Sequence, residues 1–187
     1  MDKRLLEKVR RVRKYASFFE WPDKKLKERS IVEFLLNSMQ LGGEAKYSEP
    51  IPSPDDPPDC VVSDDDGRPV AVEVTELVSA EAIRRNQQGD NVYREWKFNE
   101  IAHELNNAIL KKDGKRFHGG PYAKKILLIF TDEIILQASQ EEYAEYLAGL
   151  SFGPVEQIDE AYLLFSYDGT DRCPYVNLRL NPSATRS

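Results

Sequence analysis

Asp56-Pro57-Pro58-Asp59-Cys60-Val61-Val62-Ser63-Asp64-Asp65-Asp66-Gly67-Arg68-Pro69-Val70-Ala71-Val72-Glu73-Val74-Thr75 reads as two short strands joined by a tight turn. A proline-rich approach (Pro50, Pro52, Pro54, Pro57, Pro58) delivers Asp59 to the start of the first strand, Cys60-Val61-Val62. Asp64-Asp65-Asp66-Gly67 is turn chemistry, because glycine takes the positive φ that a sharp reversal needs. Pro69 to Thr75 is the return strand, rich in β-branched residues. Alternation puts Glu73 and Thr75 on one face and Val70, Val72 and Val74 on the other. A carboxylate flanked by valines is expensive to bury without a partner. Taken singly, Asp59 is ordinary turn chemistry and Glu73 an outward-facing strand residue. On neighbouring strands they make a shared site for a divalent cation, Mg²⁺ or Mn²⁺, which prefer oxygen ligands.

The pattern resembles the PD-(D/E)XK nuclease superfamily, with Pro58-Asp59 matching its first element and Glu73-Val74-Thr75 its second. The resemblance covers residues 24 to 80 in detail and the rest by element order. It implies a restriction-endonuclease-like α/β fold: a mixed central sheet flanked by helices. It further implies Asp59 and Glu73 as metal ligands, the Val74 carbonyl completing the set, and Mg²⁺-dependent hydrolysis of DNA, in bacterial defence or repair. RNA is the other nucleic acid of suitable chemistry, and action as a homodimer is an expectation of such domains. One departure stands out: Thr75 occupies the place of the usual lysine. Threonine can orient water by hydrogen bonding but brings no charge. A basic residue from a neighbouring helix would compensate; Lys97 is the best-placed candidate, ahead of Arg94 and Lys112, although it reads first as an ordinary exposed helix lysine. The alternative is a catalytically inactive nuclease-fold module for binding or assembly.

The family often adds a glutamate from the preceding helix, and two candidates fit. Glu28 shares the inward side of that helix with Val32, Leu35 and Met39; Glu33 lies with Ser30, Asn37 and Gln40 on the polar side. The site residues expected from sequence are therefore Glu28, Glu33, Asp59, Glu73 and Thr75, with Glu28 favoured over Glu33 and Glu44 a distant third.

At 187 residues the chain suits one domain. Its net charge of −6 is uneven: residues 1–29 hold eleven Lys/Arg against five acids, leaving 15 basic and 27 acidic residues elsewhere. A basic first helix, about residues 3 to 19, is suited either to nucleic-acid phosphates or to pairing with the acidic body. Two cysteines without metal-ligand spacing, and no long apolar run, lead to the expectation of a cytoplasmic protein with no membrane segment. Further helices are expected from Asp23 to Leu41, about Val92 to Lys112, and Gln140 to Leu150. Further strands are expected at Lys125 to Thr131, Ala161 to Ser166 and Tyr175 to Leu180, with loops at 48 to 58 and 86 to 91. The loop holding Lys115, Arg116, His118, Gly119 and Gly120 offers a phosphate contact but reads rather as a mobile connector, and Asp132-Glu133 reads as a helix N-cap.

Overall fold

A computed structural model describes residues 23–44, 47–79, 94–133, 139–166 and 173–184, with positions 81, 84, 85 and 136. The expected basic first helix, and the loop at 86 to 91, lie outside the described residues. Helix α1 spans Lys24–Leu41, and its start is fixed by Asp23, whose Oδ1 accepts the backbone N–H groups of Lys25 and Leu26 at 2.9 and 3.2 Å. The chain leaves it through Gly42-Gly43, Gly43 having φ +77°.

Strands β1 (Ile51–Pro52), β2 (Cys60–Ser63) and β3 (Pro69–Glu76) form an antiparallel meander. The β2–β3 turn is built as its sequence demands. Asp64 Oδ1 accepts from the Asp66 and Arg68 amides, and Gly67, at φ +75°, donates to the Asp64 carbonyl. Helix α2 (Phe98–Asp113) crosses to β4 (Lys124–Thr131), which lies parallel to β3 with Glu73 opposite Leu127. Then follow α3 (Gln140–Ala148), β5 (Phe152–Val155), β6 (Glu160–Phe165), β7 (Tyr175–Leu178) and β8 (Leu180–Pro182). The main sheet runs β1-β2-β3-β4-β6-β7, parallel at β3–β4–β6 and antiparallel elsewhere, while β5 and β8 pair separately.

Each face of the sheet carries its own apolar layer. Val70, Val72 and Val74 pack with Ile31, Val32, Leu35 and Met39 of α1. Leu127, Ile129 and Leu163 pack with Ile101, Leu105 and Ile109 of α2 and with Tyr143 and Leu147 of α3. Burial on both faces explains why β4 reads as an unbroken apolar run. The chain is thus mixed α/β, with helices on both sides of one sheet.

Several boundaries differ from the sequence reading. The expected 48–58 loop contains β1, because a proline is compatible with an edge strand whose outer N–H positions need no partner. Helix α2 begins at Phe98 rather than near Val92, with Arg94 to Lys97 non-helical. Tyr175 to Leu180 is divided at Arg179: the first part joins β6, and the rest pairs with β5, an element that Gly153 and Pro154 concealed. Among the described residues no helix is long and apolar enough to cross a membrane.

Candidate metal centre

The start of β2 and the middle of β3 are hydrogen-bonded neighbours, with Cys60 opposite Val72, so Asp59 and Glu73 arrive side by side. Asp59 Oδ2 accepts the Val74 backbone N–H at 2.8 Å, which locks its carboxylate against β3. One oxygen each from Asp56, Asp59 and Glu73 lies within 4.8 Å of the others. Two carboxylates sharing an ion at about 2.1 Å per bond need their oxygens within about 5 Å, and this pair satisfies that test. Asp56, on the exposed outer side, is a third candidate ligand that the motif does not contain.

Glu73 is 1% exposed. Its Oε1 accepts Lys112 Nζ at 2.6 Å and lies 3.8 Å from Lys115 Nζ. Lys112 also donates to the Val74 carbonyl at 3.4 Å. The second oxygen, Oε2, is buried with no hydrogen-bond partner. An orphaned anionic oxygen in a buried carboxylate, facing two more carboxylates, is a site short of positive charge. Burial first, and then the Asp59 charge, hold the Glu73 carboxyl above its ordinary range, against the opposing pull of Lys112 and Lys115.

Glu28 completes the acidic wall from α1. It is buried and faces Asp59; its carboxyl is pushed up to about 7 by burial and by the Asp59 charge, with Lys24 at 3.2 Å opposing. The inward placement read from helical periodicity therefore holds for Glu28. Glu33 does not reach the site. It is held by Arg29 at 2.8 Å on the outer side of α1, where the polar periodicity puts it. Glu44 bonds the Tyr175 hydroxyl at 2.5 Å. Thr75 shares the Glu73 side of β3 and is half-buried, bringing no charge.

Lys97, the best-placed candidate for a compensating lysine, is the ordinary exposed lysine that its sequence reading favours. Lys97 is 79% exposed and lies 4.0 Å from Glu100, while Arg94 pairs with Glu100 at 3.2 Å and covers the Trp96 ring. Lys112 enters instead, from the other end of α2. Its signal was present in the sequence: it follows Ile109 by three positions, on the inward stripe of Ile101 and Leu105. Asp132-Glu133 is not simply a cap, since Glu133 Oε1 accepts the Ser79 N–H at 3.2 Å and ties together the ends of β3 and β4. His103 and His118 are exposed and supply no side chain to the centre.

No protein-family model, no curated protein and no solved structure matches this chain.

Proposed function

We propose that the chain is a Mg²⁺- or Mn²⁺-dependent nuclease of the PD-(D/E)XK type, hydrolysing phosphodiesters in DNA. The observation that carries this reading is the convergence of the Asp56, Asp59 and Glu73 carboxylates beside the Lys112 ammonium, with Glu73 Oε2 buried and unpartnered. Hard carboxylate oxygens, without histidine or thiolate among them, suit Mg²⁺ or Mn²⁺. The order helix, antiparallel meander, crossover helix and parallel strand is in keeping with the restriction-endonuclease-like core.

Asp59 and Glu73 would hold the cation, with Asp56 on the solvent side and the Val74 carbonyl within reach. A bound divalent ion supplies charge to the scissile phosphate and acidifies a coordinated water. The chain's own residues do the rest. The Val74 amide fixes Asp59 in place, so the carboxylates need little rearrangement. Lys112 puts an ammonium where the motif lysine would stand, available to steady a hydroxide or the developing phosphorane charge. Glu28, a buried carboxyl beside Asp59, is placed to hold or release a proton at the same centre.

The same ion pair also favours a second reading. Lys112 already provides Glu73 with a positive partner, as it would in a silent nuclease-fold module that binds without cutting. A cleavage assay on DNA with Mg²⁺ or Mn²⁺, beside Asp59→Ala and Glu73→Ala, separates the two. Metal-dependent cutting lost in both variants supports the enzyme. No cutting, together with no Mn²⁺ uptake by calorimetry, leaves the binding module.

A further inference from the structure

The segment from Gly114 to Ala123, between α2 and β4, reads from its sequence as a mobile connector, but it is pinned along its length. The Lys115 carbonyl accepts Gln157 Nε2 at 3.0 Å, the His118 N–H donates to the Pro57 carbonyl at 3.0 Å, and the Ala123 N–H donates to the Pro69 carbonyl at 2.8 Å. Tyr122 closes the turn through its hydroxyl onto the His118 carbonyl at 2.5 Å. Gly119 has φ +74°, and a Cβ there would stand 3.0 Å from both Asp55 Oδ2 and the Tyr122 hydroxyl. The loop therefore abuts the segment that carries Asp56 and Asp59, and its positive φ at this close approach favours glycine.

Lys115 is consequently held at the rim of the carboxylate centre, with Arg116 next to it in the chain. Lys115 Nζ lies 3.8 Å from Glu73 Oε1, with its side chain 42% exposed. Arg116 is exposed and has no ion-pair partner among the described residues. Across the centre, Lys24 is 67% exposed, 3.2 Å from Glu28 and 3.8 Å from Asp56. Lys111 and Lys112 have a local explanation, since cations complement the C-terminal end of α2. Arg116 lies beyond the helix and has none. Beyond residue 29 the chain carries 27 acidic and 15 basic residues, so basic residues beside the carboxylates stand out against the surrounding charge.

We propose that this loop is the edge on which a nucleic-acid strand docks. Lys115 and Arg116 bind backbone phosphates on one side of the carboxylates, and Lys24 binds on the other, so that the intervening phosphate comes to rest over Asp59 and Glu73. The proposal rests on the nuclease reading and extends it to the path of the strand. The ligand chemistry is the phosphodiester backbone, which DNA and RNA share.

The test is fluorescence anisotropy of the full chain with labelled DNA and RNA duplexes in Ca²⁺, over a range of salt. Wild type is compared with Arg116→Ala, with Lys115→Ala/Arg116→Ala, and with Lys97→Ala as a control roughly 20 Å away along α2. The double variant should weaken binding about tenfold or more at low salt, and the log–log salt slope should shrink by about 2, the signature of two lost phosphate contacts. Arg116→Ala should give about half that change in slope, and Lys97→Ala none. The basic residues before position 24 contribute equally to every variant. A loss on the DNA arm assigns DNA, and a loss confined to the RNA arm assigns RNA. Unchanged affinity on both arms, or an equal loss in Lys97→Ala, overturns the docking edge.

Mn²⁺ calorimetry on the same samples keeps the two readings apart. Mn²⁺ uptake without any dependence of binding on Lys115 and Arg116 sinks the docking edge alone. Lys115/Arg116-dependent binding without Mn²⁺ uptake sinks the nuclease and leaves the edge standing.

Discussion

Two glutamates on β3 meet burial in opposite ways. Glu73 faces α2, and Glu76, three positions on, faces α1. Both carboxyls are held above their ordinary range, and burial is the first cause in each. Glu73 has ammonium groups at 2.6 and 3.8 Å and two other carboxylates within reach. Neither oxygen of Glu76 has a hydrogen-bond partner; the Asp132 charge adds to burial in pushing it up to about 8, with Lys27 opposing. Glu76 thus meets its burial by keeping a proton at neutral pH. Glu73 instead sits between two ammonium groups and two further carboxylates. Burial alone does not make a metal centre; what surrounds the buried group does.

On the nuclease reading, Glu73→Ala and Asp59→Ala each lower metal-dependent cleavage by roughly 10³-fold or more and abolish stoichiometric Mn²⁺ binding by calorimetry. Glu76→Gln leaves both unchanged. Its effect is on stability. A carboxyl whose folded pKa of about 8 exceeds its unfolded value contributes stability that is complete at acid pH and is lost as pH rises toward 8. Thermal melts from pH 5 to 9 should show that loss in the wild type, on the order of 1–3 kcal/mol, and a flatter profile for Glu76→Gln. A cleavage defect in Glu76→Gln of the size seen in Glu73→Ala would erase the distinction between the two faces.

Next in size is the pair of lysines at the two ends of α2. Lys112→Ala should reduce the cleavage rate by about 10²–10³-fold, the loss of one preorganised charge at the reacting centre, without weakening Mn²⁺ binding. Lys97→Ala should change neither quantity. If the rates of both variants equal wild type, the Lys112–Glu73 contact is a structural ion pair and the silent-module reading gains. Glu28→Gln is read best without metal. The Glu28 carboxyl, raised to about 7 by burial and by Asp59, contributes stability below about pH 4.5 that is lost as pH rises through 7. Metal-free melts should therefore fall from pH 5 to 8 in the wild type and fall less in Glu28→Gln. A fall of equal steepness in the two would remove Glu28 from the centre.

The sequence made the hairpin and one of its faces legible, because strand alternation is local. Val70, Val72 and Val74 had to share a side, so Glu73 took the other. The inward placement of Glu28 was likewise readable from helical angle. Lys112 lies on the inward stripe of α2 but was not singled out, because periodicity does not say which end of a helix overlies the site. Direction decides that. The crossover runs antiparallel to β3 and β4, which carries the C-terminal end of α2 toward the hairpin with Asp59 and Glu73 and its N-terminal end away. Asp56 was hidden because a proline-rich loop has no periodicity, and its closeness to Glu73 exists only once β2 pairs with β3. The β5–β8 pair was concealed for a related reason: Gly153 and Pro154 are poor strand formers, and only a long-range partner makes a strand of them.

Glu33 and Glu28 lie five residues apart on α1, both paired with a cation four positions away, yet Glu28 is buried beside Asp59 while Glu33 is half-buried on the outer side. Surface pairs contribute little, so Glu33→Ala should change stability by less than about 0.5 kcal/mol and leave cleavage within about twofold of wild type. A tenfold loss of cleavage in Glu33→Ala would mean that α1 turns a different face to the sheet. Glu28 would then lose its place at the centre, and the acidic wall would have to be rebuilt from the polar side of the helix. An unchanged Glu33→Ala beside an altered Glu28→Gln ties the functional face of α1 to the same side that packs on Val70, Val72 and Val74.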